Sequence, residues 1–478
     1  MKAGMTPGSR AALLAITILL AGCAPPPERT ADSIYVGGSI VTVNDKQPTA
    51  EALAVKDGHI LAVGKRTGIE RAHKGPKTRI VDLAGHALLP SFIDAHSHYF
   101  SSLVVASQVK PGAPPAGLGG DSASVLAALL NVRSIFGSLP KPNTEQEVEW
   151  SRAGQMLYAQ AGITTAHEGA THADELEVMK RAAEADANII DIVAYPVITE
   201  LDSILESNPV ADWGQYRKRL KIGGVNITLD GSPQGRTAYF TTPYLRGGPG
   251  DEKDWRGELM FPESTVRKMV KQVYELGVPL NLHANGDAAI DVFLRAHELA
   301  SGHNRGADHR VTLIHGQFAS RDQLEKFRAY HITPSFYTLH TYYFAEAHLA
   351  NRGAEQAAFM SPMRAAVALG LNPTNHTDFV VAPLDQMFMM WSAVNRLSRS
   401  GDVIGPDQRL APLDALKAMT INAAMQYGEQ DQKGSLEPKK LADMVILDRN
   451  PLEGDPVAIK DIGVLETIKE GKTIYKRP

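Results

Sequence analysis

The chain has 478 residues, 41 of them Gly and 29 Pro, with 44 % hydrophobic and 21 % charged side chains, the profile of an enzyme-sized globular protein and not of a disordered or fibrous one. Lys plus Arg number 49 against 53 acids, a formal charge of -4, so no basic excess draws the chain to nucleic acid or to an anionic membrane surface. A single cysteine, Cys23, excludes an intrachain disulfide and thiolate-rich zinc or iron–sulfur sites, which leaves His, Asp, Glu or a modified Lys to hold any metal.

The first predicted element is a targeting segment. Lys2 and Arg10 precede the apolar run Ala11 to Leu20, which is about 15 Å long as a helix, whereas the hydrocarbon core needs about 20 residues. It therefore reads as a signal-peptide core and not as a membrane span. The following Leu20-Ala21-Gly22-Cys23 resembles a bacterial lipobox, which implies residues 1–22 as a cleaved lipoprotein signal and Cys23 as the acylated first residue of the mature chain. Ala24 lacks the Asp that often signals inner-membrane retention, so the resemblance implies a cell-envelope protein on the periplasmic face of the outer membrane. Its membrane contact would be through the lipid anchor only.

A Pro-rich tether is expected over 23–32. Strand-like runs follow at Ser33 to Val43, Ala52 to Gly64 with a turn at Lys56-Asp57-Gly58-His59, and Thr78 to Leu83. The far end repeats the style at Leu441 to Leu447, Ile462 to Ile468 and Lys472 to Lys476. Residues 33–87 and 428–478 are therefore expected to form one small β-sandwich from both termini.

Between them, eight apolar strand-like runs occur: Leu88 to Ala95, Ile163 to Ala166, Ile189 to Val197, Val225 to Leu229, Val278 to Leu282, Arg310 to Ile314, Ile332 to Phe336 and Asn372 to Thr377. Helical periodicity follows several of them, at Ser264 to Leu276, Ala288 to Ala300, Arg321 to Tyr330, Pro362 to Leu369 and Pro412 to Gln426. Alternation of this kind predicts an α/β fold, a (β/α)8 TIM-like barrel over 88–427. The rival, a doubly wound open sheet, lacks a Gly-rich nucleotide loop after its first strand. Two connections are unusually long, Tyr99 to Pro142 and Ser232 to Pro262, and loops of that length often act as lids or binding walls.

His96 and His98 close the first barrel run, and residues i and i+2 of a strand share a face. His283, His315 and Asp378 likewise follow the fifth, sixth and eighth runs. Ligand-type side chains at several strand ends fall on the face where barrel enzymes assemble their sites, which predicts a metal centre. A divalent cation lowers the pKa of bound water and polarises a carbonyl, and Asp378 beside it is suited to move the proton between water and a leaving group. His376 shares the face of Asp378 and could contact substrate. Asp230, Gln234 and Arg236 follow the fourth run and could orient substrate, with Arg236 as a carboxylate anchor. Tyr337, Tyr342 and Tyr343 with His340 suggest an aromatic pocket wall after the seventh.

The segments FIDAHSH, AGITTAHEGA, LDGSPQGRTA, LHANGDAAID and HTD, with the tail KGSLEPKKLADMVILDRNPL, resemble the amidohydrolase superfamily, in the YtcJ-like branch that includes N-substituted formamide deformylases. The resemblance runs from about residue 33 to the C-terminus. It implies a distorted barrel with a β-sandwich from both termini, and one or two divalent metals, usually zinc, on His96, His98, His283, His315 and Asp378. In binuclear members a carboxylated lysine at the end of the fourth strand bridges the metals. Here Asn226 stands at that position, and an amide cannot form the carbamate. Glu168, at the end of the second run, is a substitute bridge by resemblance, and Lys221 another through a register shift.

These readings converge on a metal-dependent hydrolase of a non-peptide C–N bond in a small-molecule substrate: an N-acyl, N-formyl or cyclic amide. Two alternatives stay open. One is a substrate-binding lipoprotein with a degenerate metal site; the other is an ester, lactone or phosphoester hydrolase on the same scaffold.

Overall fold

The computed structural model describes Met1, residues 30–108 and residues 143–478. The rest of the signal segment, Cys23 and the tether up to residue 29 lie outside the described residues, as do 109–142 of the first long connection. Residues 30–32 of the expected tether already belong to the fold: Ala31 is buried and its N–H donates to the His73 carbonyl, and Asp32 pairs with Lys56 at 2.8 Å.

Five strands open the chain: β1 (Ser33–Val41), β2 (Thr49–Lys56), β3 (His59–Gly64), β4 (Arg79–Asp82) and β5 (Ala87–Pro90). Nine occupy the middle: β6 (Phe92–Ile93), β7 (Ile163–Thr171), β8 (Asp191–Pro196), β9 (Leu220–Ile222), β10 (Val225–Thr228), β11 (Leu280–Ala284), β12 (Val311–His315), β13 (Thr333–Phe336) and β14 (Thr374–Asn375). Three close it: β15 (Met444–Leu447), β16 (Val464–Lys469) and β17 (Lys472–Lys476).

The terminal strands form one hydrogen-bonded sheet of eight, in the order β17-β16-β15-β5-β1-β2-β3, with β4 also on β1. The two layers expected of a sandwich belong to one hydrogen-bonded sheet that curls until its edge strand β3 meets the residues leading into β15, where the Ile60 N–H donates to the Lys440 carbonyl and His59 bridges to Leu441. The curl encloses Tyr35, Leu53, Ile60, Leu88, Met444 and Ile468.

The middle strands are parallel and make a TIM-like barrel, with helices between them. One such helix, Glu263–Leu276, buries Val266, Val270 and Val273 at i, i+4 and i+7, and ends on Gly277 in the left-handed region, which caps it without strain. One expected run is broken. Leu88 to Ala95 contributes its first half to the terminal sheet as β5 and only Phe92–Ile93 to the barrel. The fourth run holds as β10, preceded by the additional strand β9 across Gly223-Gly224, where a Cβ on Gly224 would lie 2.2 Å from the Pro279 carbonyl. The long helix expected over Pro412 to Gln426 is two, Pro412–Ala418 and Ile421–Gln426, because the Thr420 hydroxyl donates back to the Leu416 carbonyl and the backbone leaves the helical region there. Tyr99, expected in a loop, starts the helix Tyr99–Gln108.

Neither half of the barrel is closed by its ladders alone. On one side Val197 bridges to Asn226; on the other the Asp378 N–H donates to the His96 carbonyl and the His98 N–H to the Phe379 carbonyl. Asp94 reinforces that second seam by accepting from the Thr377 backbone at 3.2 Å and from its hydroxyl at 2.5 Å. The seam that completes the barrel therefore runs through the residues singled out for chemistry.

Candidate metal centre

The seam brings first and eighth strand ends together, and the side chains follow. Asp378 Oδ1 lies 3.5 Å from His96 Nε2 and 3.5 Å from His98 Nε2. Ligand atoms of His96, His315 and Asp378 all fall within 4.8 Å of one another. The His315 and Asp378 backbones have φ of 69° and 51°, a left-handed conformation that costs a side-chain-bearing residue of order 1–3 kcal/mol and persists only where its surroundings impose it.

His283 lies one ring away, 4.4 Å from His315 between centroids, but its Nε2 faces the Asn285 amide at 3.1 Å and Asp230 at 3.8 Å. It borders the tight group without joining it. His376 stands behind His315, Nε2 to Nδ1 at 3.2 Å, with its own Nδ1 2.9 Å from the Ser335 hydroxyl. Both ring nitrogens are thus engaged inside the protein, which is the geometry of a residue that orients His315 and not of one that meets substrate.

Glu168 stands on the other side of His98 from Asp378. Its carboxylate is near the opposite edge of His98, 3.9 Å from Nδ1, and is held there by N–H donation from Phe100 at 2.5 Å and Ala170 at 3.2 Å. A carboxylate behind an imidazole orients the ring and raises its basicity. Asn226 donates to the Thr228 hydroxyl at 3.3 Å, and Lys221 is buried in an ion pair with Glu429, so neither the aligned position nor the register-shifted lysine supplies a bridge.

The expected substrate group after the fourth strand is different in kind. Asp230 is sealed and accepts three backbone N–H bonds, from Tyr239, Asn285 and Gly286, each at 2.9 Å. It ties two loops together, with both oxygens engaged by backbone N–H groups. Arg236 donates to the Arg246 carbonyl at 3.2 Å within its own exposed loop. That loop is pinned as a wall by Arg352, whose guanidinium donates to Thr242 and Pro243.

One residue was missed. His167 is fully buried, 5.0 Å from His96 between ring centroids, and its Nε2 lies 2.9 Å from the Asn281 amide. The signal was strand alternation: Thr165, His167 and Gly169 share the inward face of β7. At Gly169 a Cβ would fall 2.3 Å from the His96 ring, so only glycine leaves that ring its place.

Burial dominates the electrostatics. It pushes His283 down to about 4 and His96, His167, His315 and His376 below their ordinary range, so these imidazoles are neutral at pH 7. For His98 burial acts the same way, but hydrogen bonding to Asp378 and Glu168 outweighs it and lifts the ring to about 10. Burial alone would raise Asp378; the His96 and His98 contacts instead hold it well below the usual carboxylate range. His96, His283 and His315, neutral beside an ionised carboxylate, are donors for a borderline divalent cation such as zinc, and His98, protonated between two carboxylates, would release its proton on joining them. His96 Nδ1 and His167 Nδ1 remain buried without a hydrogen-bond partner among the described residues, unlike the nitrogens of a settled hydrogen-bond network. The donors fit a metal.

Comparison with known proteins agrees with this geometry. N-substituted formamide deformylase of Arthrobacter pascens is 21 % identical over 93 % of this chain and 98 % of its own length. An uncharacterized metal-dependent hydrolase from Pyrococcus furiosus superposes with a TM-score of 0.72 at 20 % identity, over 88 % of this chain and all of that one. The atrazine chlorohydrolase of Arthrobacter aurescens, complexed with zinc, gives 0.61 at 15 % identity over 93 % and 95 % of the two chains. Residues 115–475 match the amidohydrolase family, beginning after His96 and His98, so that the pair stands outside the matched stretch. Belonging to the amidohydrolase family, the chain is a hydrolase of carbon–nitrogen bonds built around a candidate metal site.

Proposed function

We propose that this chain hydrolyses a non-peptide amide, either an N-acyl or N-formyl amine or a cyclic amide, at a divalent cation, zinc, held by His96, His98, His315 and Asp378. The observation that carries this is the convergence of those four groups from the first, sixth and eighth strand ends: Asp378 lies 3.5 Å from His96 and from His98, and the ligand atoms of His96, His315 and Asp378 fall within 4.8 Å of one another. A bound cation would supply a Lewis acid for the scissile carbonyl and a lowered pKa for water. The chain supplies the rest. Asp378 turns Oδ1 to the imidazoles, which leaves Oδ2 to take the proton of the attacking water and return it to the leaving nitrogen. Glu168 and His376 hold His98 and His315 in orientation from behind. His283 borders the site and supports a second, weaker ion or the substrate.

The test is metal content together with turnover of N-substituted formamides, N-acyl amino acids, lactams, esters and lactones. About one zinc per chain with turnover confined to the amides is expected. A chain that carries less than one metal and stays inert after zinc or manganese addition is a binding lipoprotein instead, and turnover confined to esters or lactones replaces the amide reading.

The address is proposed from Cys23, whose acylation would tether the barrel to the periplasmic face of the outer membrane. Among the described residues no helix is long and apolar enough to cross a membrane. Cys23→Ser is expected to move the protein from the membrane to the soluble fraction; unchanged fractionation would refute the anchor.

A further inference from the structure

The barrel mouth carries a second buried pair of imidazoles that the scheme above does not use. His340 opens the short helix His340–Tyr343 after β13, and His348 lies in the next helix, Ala345–Arg352. His340 Nδ1 and His348 Nε2 are 2.9 Å apart, with ring planes within 7° of parallel. One proton must lie between them, and two assignments exist. If His340 donates, neutral His348 carries its proton on Nδ1, an atom sealed from solvent with no partner among the described residues. If His348 donates, that sealed atom is a bare lone pair, and neutral His340 carries its proton on Nε2. An orphaned buried N–H is the rarer and costlier of the two, so the second assignment holds. Which ring nitrogen bears the proton is set by the hydrogen bond the other makes. Burial keeps both rings neutral, with His340 pulled down to about 3 and His348 well below its ordinary range.

The pair is adjacent to the chemistry. The Tyr337 ring is 4.7 Å from His340 and stacks on His376 at 5.3 Å, and His376 is 5.1 Å from His96. The charge of Asp378 reaches His340. His340 Nδ1 is taken by His348, whereas Nε2, on the far edge of the ring, has no hydrogen-bond partner among the described residues.

We propose that His340 presents a fixed, neutral Nε2–H into the barrel mouth as a hydrogen-bond donor to the carbonyl oxygen of the bound amide, and that His348 is the positioning residue that fixes this tautomer. The substrate half rests on the amide-hydrolase reading; the tautomer half does not. A donor aimed where negative charge builds on the carbonyl oxygen strengthens as the reaction proceeds, so its loss falls on kcat more than on KM.

Nitrogen-15 NMR of the zinc-loaded, His-labelled full chain reads the tautomer without substrate. The Nε2–H form is expected at His340; His348→Phe should abolish the single tautomer and His348→Gln, whose amide can donate to Nδ1, should keep it. With an N-substituted formamide, His340→Phe is expected to lower kcat about 10²-fold at unchanged zinc content. His348→Phe should lower it about 10-fold, with recovery in His348→Gln. An Nδ1–H tautomer at His340 overturns the proposal, as does a His340→Phe enzyme with wild-type kcat and zinc content. A wild-type chain that turns over no amide sinks the hydrolase reading, and the tautomer still decides for or against the donor.

Discussion

The two ends of the barrel each bury a cluster of ionisable groups, and the clusters are opposite in character. At the N-terminal end, where β8 begins, Asp191 accepts from Lys433 at 2.6 Å, Lys469 at 2.8 Å and Arg219 at 3.1 Å. Lys469 also meets Asp443 at 2.7 Å, Lys433 meets Glu429 at 3.0 Å, Arg219 meets Glu470 at 2.7 Å, and Lys221 meets Glu429. Four cations face four anions, and the network joins the barrel to β16 and to the start of β15 in the terminal sheet. At the C-terminal end one charged imidazole, His98, and several neutral ones crowd an ionised Asp378 and leave sealed nitrogens unpartnered. A buried network that closes on itself is structural. One that converges donors without matching them with protons is built to take a cation from outside, and that is the difference between a joint and a site.

The comparison can be broken experimentally at either end. The largest effect is expected from Asp378→Asn in zinc-loaded protein: a loss of about 10²–10⁴ in kcat, with the melting temperature of the metal-free chain little changed. A variant that keeps its turnover would remove Asp378 from the chemistry. At the opposite end Asp191→Asn leaves four cations facing three anions and should cost about 3–5 kcal/mol in denaturant unfolding while leaving the zinc content of the folded fraction intact. Burial alone would raise Asp191, but the two lysines hold it below its ordinary range, so its contribution is complete above its unfolded pKa of about 3.9 and drains as the pH falls through the folded value. The wild type should therefore lose stability in acid more steeply than Asp191→Asn, and parallel curves would refute the assignment.

Stripping the metal comes next. At free zinc 100-fold above its dissociation constant, the bound ion should add about 2.7 kcal/mol to the stability of the fold, lost on chelation and restored on addition. No shift on chelation would mean that the C-terminal cluster is also a joint. The smallest effect is expected from Gly169→Ala, which presses a methyl group on the His96 ring and should weaken zinc binding about 10-fold by titration, without touching the N-terminal network.

Much of this architecture was legible in the sequence because it is local. The strand runs, the hairpin at Asp57-Gly58 and the helix Glu263–Leu276 follow from periodicity and turn chemistry, and the His-x-His spacing puts two imidazoles on one face before any contact is known. His167 could have been read too, from the inward face that it shares with Gly169. Some of the rest depends on which backbone strand neighbours which. That Leu88–Pro90 pair with β1 and β15 while Phe92–Ile93 enter the barrel is decided at Ser91 by the sheet on either side, not by the apolar run itself.

By itself, then, the sequence determined the β/α alternation, the two β-rich ends, the exclusion of thiolate chemistry by a single cysteine and the set of imidazoles and carboxylates available for a site. Only the tertiary structure decided their roles. Asp230 follows a barrel strand and Glu168 lies within one, yet three backbone N–H groups engage the first and the second is held behind His98. Lys221 is taken by Glu429, a residue more than two hundred positions away. Residue type states what a side chain can donate or accept; which partner satisfies it is a property of long-range packing, and the groups left unsatisfied by that packing are the ones free to bind something else.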